Sequence, residues 1–415
     1  MKVVLLNTSE HTGGAAIAAN RLMKALIDIG IEAKTLTLNK QTDDENVVSI
    51  QSSFFKRQLA LLNFLWERWV IFLHNRFSRE NLFRVSIANT GFDISRHPLV
   101  KDADIIHIHW INQGFLSLRT LKKLASSGKP IVWTMHDMWP ITGICHYSWG
   151  CEKFTNECGG CPLLHSQKHK DLSYRIFKEK KFIAQSGIHF VAVSSWLKNM
   201  SLQSVLTKNL KISVIPNVID IQIFHPSNKT SARKNLSLPL DKKIVLMGAL
   251  RIDDPVKGFV FLKEAMRLVY VKNQDAVLVL FGNTKQQDVL NNISFPIIQM
   301  GFIKDTSTIA QLYAAADVNI VPSYYETFGQ TITESMACGC PSVTFNNSGQ
   351  TDIIDHQING YLAKYQDSED LAKGILWCFD NYKLLSTEAR KKVENSYSED
   401  VVGKKYIRLY NSLIR

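Results

Sequence analysis

Short apolar segments alternate with helix-compatible segments along this whole chain, and this alternation constrains the fold more than any other feature. Strand-like segments occur at residues 3–7, 33–38, 105–110, 131–134 and 190–193, and again at 244–247, 276–281, 297–300, 319–321 and 342–345. The intervening segments, such as 15–29, 258–270 and 307–315, fit helices. Alternation of this kind is typical of parallel sheets with helices on both faces. The sequence therefore predicts an α/β fold with doubly wound sheets.

The length of the chain predicts more than one domain. Its 415 residues exceed what one hydrophobic core normally supports. A proline-bearing stretch, residues 215–226, separates the two halves of the pattern. We expect an N-terminal domain over 1–218, a C-terminal domain over 219–396, and a last segment, 397–415, whose helix packs back on the first domain. Two such domains would place a ligand cleft at the carboxyl ends of both sheets.

The net charge of +12 indicates an anionic partner. The sequence contains no Arg/Lys-rich helix or recognisable nucleic-acid module, so phosphorylated substrates and acidic lipid headgroups fit better than nucleic acid. No run approaches the ~18–20 apolar residues that a spanning helix needs. The chain begins directly with a strand-like segment, which predicts a cytoplasmic protein without a signal peptide.

Much of the positive charge lies in one aromatic and basic segment, residues 54–84. Six basic residues outnumber two acidic ones there, and large apolar residues are interleaved with them, among them Phe54, Phe55, Leu61, Phe64, Trp66, Trp69, Phe72 and Phe77. Aromatic residues mixed with arginine on helices suit the boundary layer of an anionic membrane. A pair of helices packed on the domain, with its arginines in solvent, explains the pattern equally well. Both interpretations stay open.

Two glutamates, Glu326 and Glu334, stand eight residues apart at the end of a strand-like segment. The first precedes a helix and the second lies about two turns into it, so both carboxylates can face one cleft. Amides at the start of such a helix are unpaired and suit a phosphate or a sugar hydroxyl. Two glutamates at this spacing are more often a solvated helix face, and the other motifs favour the functional interpretation.

Two cations, Arg251 and Lys257, follow the first strand of the second half. At the end of a parallel strand they could neutralise a diphosphate leaving group as its bond breaks. Simple pairing with the neighbouring Asp253 and Asp254 is the alternative.

Near the N-terminus, Gly13 and Gly14 connect a strand to a helix, where backbone can approach a phosphate. This turn lacks the G-x-G-x-x-G fingerprint of dinucleotide-binding proteins, so NAD is disfavoured as a ligand.

Histidines follow two strands of the first half. His136 comes at the carboxyl end of the strand 131–134, and His107 and His109 alternate along the preceding strand, so these two face the same side. The sequence does not decide whether this side lines the core or faces a substrate.

Four cysteines cluster within a predicted insertion, residues 143–165. Cys145, Cys151, Cys158 and Cys161 end in a Cys-x2-Cys pair, which fits a tetrahedral structural zinc site. Reduced thiols or two disulfides are the alternatives, and disulfides are disfavoured in a reducing compartment. The metal would stabilise the structure of the insertion by binding its cysteines. We expect no cofactor for catalysis.

Together these motifs resemble a retaining glycosyltransferase of family 4, which has the GT-B fold of two facing Rossmann-like domains. The resemblance runs essentially end to end. Residues 136–140, joined to four cysteines, resemble a subgroup that assembles bacterial exopolysaccharide and O-antigen, including colanic acid glycosyltransferases. The usual glycine pair in one later loop is replaced here by Ser348 and Gly349.

The resemblance implies roles for ten residues. It implies that Arg251 and Lys257 bind the donor diphosphate, that Glu326 contacts the donor sugar and that Glu334 holds the ribose hydroxyls. His136 would approach the donor sugar, and Gly14 the phosphate or the acceptor. The remaining positions implied to contact the donor are Ile303 near the base and Phe328, Gly329 and Gln330 around sugar and phosphate.

The resulting prediction is a hexosyltransferase that uses a UDP- or GDP-sugar. Its acceptor would be a saccharide, in particular a lipid-linked oligosaccharide at the inner face of the cell membrane, where the protein would be peripheral. Sugar-nucleotide epimerases and hydrolases share the architecture and would need no acceptor. A non-catalytic sugar-binding protein is the third class considered.

Overall fold

The computed structural model describes residues 1–166, 168–285, 287–291 and 293–414, and the chain divides into two compact units. The first unit comprises Met1–Pro216 together with the residues from Gly403 onward, and the second comprises Asn217–Val402. The sequence placed the divisions after residues 218 and 396. Each unit contains one parallel sheet.

The first unit is built on seven described strands in the order β3-β2-β1-β4-β5-β6-β7. These are β1 (Lys2–Ser9), β2 (Glu32–Asn39), β3 (Val47–Ser49), β4 (Ile105–Ile108), β5 (Ile131–Met135), β6 (His189–Ala192) and β7 (Ile212–Val214). The central strands β1, β4 and β5 are buried almost throughout, as expected for parallel strands covered on both faces.

The described helices of the first unit are α1 (Gly14–Asp28), α2 (Phe54–His74), α3 (Pro98–Asp102), α4 (Leu118–Ala125), α5 (Leu172–Glu179) and α6 (Ser195–Gln203). Polar side chains cap several of them. Ser117 accepts a hydrogen bond from the Thr120 amide, and Ser194 accepts one from the Leu197 amide. Such caps satisfy amides that have no partner within the helix, which is why these helices begin where they do.

The second unit has six described strands in the order β10-β9-β8-β11-β12-β13. These are β8 (Lys243–Arg251), β9 (Ala276–Asn283), β10 (Ile297–Gln299), β11 (Val318–Val321), β12 (Ser342–Phe345) and β13 (Gly360–Ala363). Its helices are α7 (Lys229–Asn235), α8 (Phe259–Lys272), α9 (Thr306–Ala315), α10 (Gln330–Ala337), α11 (Ser368–Asp380) and α12 (Tyr382–Ser396). The final helix, α13 (Glu399–Ile414), begins in this unit and continues into the first.

Both sheets have the strand order of a doubly wound Rossmann fold. In each unit the chain winds outward from its first strand in one direction and then returns to continue on the other side. The return creates a switch point between β1 and β4 in the first sheet, and between β8 and β11 in the second. Ligands of open α/β sheets bind at the carboxyl ends of the strands that flank such a point.

The aromatic and basic segment differs from the expected pair of helices. It forms one helix, α2, which ends at His74, because Arg76, Phe77 and Asn81 adopt positive φ angles that a right-handed helix does not allow. Not all of its arginines are in solvent. Arg68 is buried and forms a 3.0 Å ion pair with Glu67.

The strand-like segment predicted at residues 244–247 is too short, and a turn does not follow it at Gly248. Gly248 lies inside β8, opposite Phe281 of β9, and a Cβ atom there would lie 2.0 Å from the Phe281 ring. The glycine makes room for that ring, so the strand continues to Arg251.

No helix in the described ranges is both long and apolar enough to cross a membrane.

Candidate active site

The second sheet brings three of the predicted residues to its switch point. Arg251 is the last residue of β8, and Lys257 lies in the 3₁₀ turn Pro255–Lys257 that follows it. Glu326 follows the adjacent strand, β11. Because β8 and β11 are parallel neighbours, the segments after them leave the sheet at the same edge.

Lys257 and Glu326 form an ion pair at this edge. The Lys257 Nζ donates to Glu326 Oε1 over 2.7 Å, and the Ser323 hydroxyl donates to the same oxygen over 2.9 Å. Burial by itself would lower the pKa of Lys257, but the charge and hydrogen bond of Glu326 outweigh it, so the pKa is raised. The ammonium therefore keeps its positive charge at neutral pH.

A second loop holds the backbone of Glu326 in place. The Gly349 amide donates to the Glu326 carbonyl over 2.7 Å, and the Glu326 amide donates to the Ser348 hydroxyl over 3.0 Å. A Cβ atom on Gly349 would lie 2.1 Å from the Thr327 carbonyl oxygen, so this position requires glycine. Ser348 and Gly349, which replace the usual glycine pair, thus support Glu326.

Glu334 lies on α10, one helix turn after Gln330, which opens that helix. It is 8% exposed, and the Tyr313 hydroxyl donates to its Oε2 atom over 3.4 Å. Gly329 precedes the helix with a φ of 114°. Phe328 is buried, with its ring 5.5 Å from that of Tyr397.

Arg251 is paired with a neighbouring carboxylate, as the alternative interpretation of the sequence expected. Its guanidinium donates to Asp253 over 3.0 Å, and Asp254 caps the turn that carries Lys257 by accepting from the Val256 amide. Arg251 remains substantially exposed, since its side chain is 43% accessible. Ile303 is half-buried in the irregular segment between β10 and α9.

The first unit places the glycine turn and His136 after different strands of its sheet. Gly13 has a φ of 93° and precedes α1, and the exposed Gly14 is the first residue of that helix. His136 directly follows β5, and its Nε2 lies 2.9 Å from Nδ1 of His109. Burial lowers the pKa of His136 to about 4, against a smaller opposing effect of Asp137, so its imidazole is neutral at pH 7.

His107 and His109 face the same side of β4, as their alternation predicts, with ring centroids 4.2 Å apart. His107 belongs to the core. It is fully buried, and its ring nitrogens lie 2.7 Å from both the Tyr410 and the Thr134 hydroxyl oxygens.

The four clustered cysteines are free thiols, two of them buried and two half-buried. The Gly143 amide donates to Cys158 Sγ over 3.2 Å, and Lys180, which the sequence did not single out, is buried nearby and donates to the Trp139 and Thr142 carbonyl oxygens. Among the residues described, no group of three or more His, Cys, Asp or Glu side chains is arranged to hold a metal ion. The arrangement does not show a fit to zinc, which stays a prediction.

Sequence reasoning missed Ser323 and Tyr313 as partners of the two glutamates. Ser323 could have been found, because it stands three residues before Glu326 in the same loop. Tyr313 lies on α9, and no local pattern links that helix to Glu334.

Comparison with known proteins identifies the family. The model of Glycosyltransferase Family 4 matches residues 12–223, which is more than half of the chain, and the model of Glycosyl transferases group 1 matches residues 241–381. This chain belongs to glycosyltransferase family 4. It is therefore a glycosyltransferase, and its two Rossmann-like units constitute the GT-B fold that the sequence predicts.

Relatives of this family 4 member lie in bacteria and archaea. An uncharacterized glycosyltransferase of Methanocaldococcus jannaschii is 26% identical over 361 residues, which cover 80% of this chain and 90% of that protein. The Escherichia coli UDP-Gal:α-D-GlcNAc-diphosphoundecaprenol α-1,3-galactosyltransferase is 22% identical, covering 74% and 75% of the two chains. The crystal structure of Anabaena HepE in complex with UDP and glucose aligns over 100% of both chains with a TM-score of 0.67 and 18% identity, which supports the fold alone.

Proposed function

We propose that this protein is a retaining hexosyltransferase that moves a sugar from a nucleotide-sugar donor to a lipid-linked saccharide in the biosynthesis of a surface polysaccharide. The ion pair of Lys257 and Glu326 at the switch point of the second sheet is the observation that carries the proposal. Related proteins support the donor and acceptor classes. The Escherichia coli relative is named for UDP-Gal and a diphosphoundecaprenol acceptor, and a capsular polysaccharide glycosyltransferase of Staphylococcus aureus is a further relative.

In the proposed reaction, the second unit stabilises the negative charge of the leaving diphosphate and orients the donor. The sugar–phosphate bond breaks as the acceptor hydroxyl attacks from the same face, and an oxygen of the departing diphosphate takes the hydroxyl proton. Negative charge grows on the diphosphate during this step, where the Lys257 ammonium and the Arg251 guanidinium would stabilise it. The Glu326 carboxylate would orient the sugar, and the Glu334 carboxylate the ribose. Orientation and charge stabilisation supply the acceleration without a covalent intermediate.

A panel of UDP-, GDP- and dTDP-sugars, scored by thermal stabilisation, tests the donor class. A ligand that binds the folded state raises the melting temperature. We expect a UDP-sugar to give the largest shift. Product analysis with and without a diphosphoundecaprenol-linked saccharide then separates transfer from hydrolysis or epimerisation, neither of which needs an acceptor. Stabilisation by none of the nucleotides would contradict the proposal.

We also propose that helix α2 binds the anionic inner face of the membrane. The helix packs on its unit through Ala60, Asn63, Glu67, Arg68 and Ile71 and leaves its other side exposed. A stripe at helical spacing runs along that side through Leu62, Trp66, Trp69 and Leu73, and Phe54 and Phe55 at its start are each 76% exposed.

Charge favours a membrane over an apolar protein partner for this side of α2. Its one acidic residue, Glu67, is fully buried, whereas Lys56 and Arg57 are exposed. Arg76 and Arg79, just beyond the helix, are exposed as well. Apolar side chains flanked by cations suit the boundary between acyl chains and acidic headgroups.

Replacement of Trp66 and Trp69 by serine is expected to weaken binding to vesicles that contain anionic lipid by at least about tenfold, because burying one large side chain contributes about 1.5–3 kcal/mol. Co-sedimentation with phosphatidylglycerol-containing vesicles measures the loss. The control is Leu384→Ser, since Leu384 is 62% exposed on α12 of the other unit. Equal binding by the double variant and the control would refute the membrane surface.

The zinc prediction has its own test. One equivalent of zinc is expected in protein purified without added metal, and Cys158→Ser should lose it and lower the melting temperature. Cys378→Ser, at a buried thiol on α11, is the control that should keep the metal. Elemental analysis that finds wild-type protein free of zinc would leave the cysteines as structural thiols.

A further inference from the structure

A small pocket lies at the carboxyl ends of β4 and β5 in the first sheet. It has room for about one water molecule, and His109, Trp110, Asn112 and His136 are among the residues that line it. Hydrogen bonds tie the end of β1 to the segment after β4 beside it: the Trp110 amide donates to Asn7 Oδ1 over 2.9 Å, and the Thr8 amide donates to the Trp110 carbonyl over 2.8 Å. The pocket therefore has a fixed wall at the edge where ligands of such sheets bind.

Two buried polar atoms of pocket residues have no hydrogen-bond partner among the residues described. These are Nε2 of His109 and Oδ1 of Asn112, whose side chains are 3% and 1% exposed. A buried polar atom without a partner destabilises the folded state, because it has lost its hydrogen bonds to water and gained none in return. A hydroxyl group or a water molecule can both donate and accept, so either would satisfy the two atoms.

The other nitrogen of His109 is committed to His136. Its Nδ1 lies 2.9 Å from His136 Nε2, and the two rings are nearly parallel, with centroids 5.2 Å apart and an angle of 18° between their planes. On the opposite side, His107 packs against His109 and is itself held by Tyr410 and Thr134. His109 therefore contacts His136 as well as the ring of His107, which is itself held in place by hydrogen bonds.

We propose that His109 is a positioning residue that fixes the ring orientation and the protonated nitrogen of His136, and that the pocket receives one hydroxyl oxygen between His109 and Asn112. The role of His136 near the donor sugar rests on the proposed function. The hydroxyl belongs either to a water molecule or to a saccharide.

Proton counting shows how the pocket and His136 are linked. A neutral imidazole has one N–H donor and one acceptor nitrogen. A saccharide hydroxyl that donates its only proton to Asn112 must accept from His109 Nε2–H. Nδ1 of His109 is then an acceptor, and His136 must donate from Nε2–H. A water molecule has two protons and allows either arrangement, so a saccharide hydroxyl would select one tautomer of His136.

Histidine NMR tests the positioning role without any assay of transfer. In protein labelled with ¹⁵N-histidine, with the His136 signals assigned from His136→Gln, we expect wild type to show His136 as a neutral ring. His109→Leu should change the chemical shifts of both His136 nitrogens, and His109→Asn, which keeps a polar group at the Nδ1 position, should restore them. Unchanged His136 signals in His109→Leu would overturn the proposal.

His109→Gln provides a second test in case His109→Leu does not fold. Glutamine places its polar group where Nε2 stood, so it should satisfy the pocket but leave the His136 shifts altered, whereas asparagine should do the reverse. Identical His136 signals in the asparagine and glutamine variants would contradict the role of Nδ1.

Kinetics give a second measurement once a donor is found. His109→Leu should lower kcat about tenfold to a hundredfold, more than it changes KM, because it misplaces His136, and His109→Asn should recover most of kcat. A variant that raises KM and leaves kcat unchanged would overturn the positioning role. If no donor is found, the proposed function fails while the NMR result stands.

A high-resolution crystal structure tests the pocket. An oxygen atom is expected within hydrogen-bond distance of both His109 Nε2 and Asn112 Oδ1 in the free protein, and a dry pocket would refute this half of the proposal. A crystal soaked in UDP-glucose then shows whether a saccharide hydroxyl replaces the water.

Discussion

Lys257→Ala is expected to lower kcat/KM by roughly 10²–10³-fold, the loss typical for removal of one group that stabilises charge in a transition state. The lysine lies beside Glu326 at the switch point of the second sheet, and its ammonium remains charged at neutral pH. The stability loss should be small, about 1 kcal/mol or less, since the pair is partly exposed and Ser323 still donates to Glu326. Steady-state kinetics and a thermal melt measure the two effects separately.

Two further variants distinguish a donor-site role from a general loss of charge. Lys272→Ala removes an exposed lysine at the end of α8 in the same unit and should leave kcat/KM unchanged. Glu326→Gln removes the partner charge, and the double variant should lose less than the sum of the single losses, because the two residues form one unit. If turnover by Lys257→Ala is within threefold of turnover by the wild type, the donor-binding role proposed for Lys257 is wrong.

Gly258→Ala is expected to destabilise the second unit and to abolish most of the activity. The glycine has a φ of 65°, and a Cβ atom there would lie 1.9 Å from the Pro322 carbonyl oxygen at the end of β11. Strain in the left-handed region costs about 1–2 kcal/mol, and forced overpacking adds about 1–3 kcal/mol. Relief requires the backbone of Lys257 to move away from β11 and hence from Glu326. Thermal melting and kinetics should show both losses.

Gly301→Ala is the matched control for the effect of φ alone. Gly301 has a φ of 68° in the same unit, and nothing lies within 4 Å of the Cβ position. It should show the backbone strain without the clash, so its melting temperature should fall less than that of Gly258→Ala. Equal falls would mean that the approach to Pro322 is not what requires glycine at residue 258.

The sequence predicted the parallel sheets, because these rest on local patterns, but it did not predict the ion pair of Lys257 with Glu326. Buried parallel strands appear as apolar runs, and residues that follow adjacent strands reach the same edge. That ion pair follows from the order of the strands, which places β8 beside β11 and which the local patterns do not give. The roles in donor binding stay predictions.

Contacts between distant segments were not predictable in this way. Glu67 is an acidic residue inside α2, yet it is buried, because it accepts hydrogen bonds from the Ile87 and Ala88 amides 20 residues or more away. The predicted strand stopped at residue 247, before Gly248, because a local pattern cannot show that the Phe281 ring needs the space at this glycine. The short edge strands β3, β7 and β13, with three or four residues each, carry too few apolar positions to form a recognisable pattern.

The placement of helix α13 has a consequence for how the protein is made. Tyr406 and Tyr410 are buried in the first unit, where their hydroxyls lie 2.9 Å from Thr134 Oγ1 and 2.7 Å from His107 Nδ1. A ribosome delivers these tyrosines after all of Asn217–Val402, so the interior of the nascent first unit cannot close before that segment has been made. A fragment that stops at Pro216 would expose that unfilled interior, and recombinant versions of the first unit need residues 399–414 grafted onto their end.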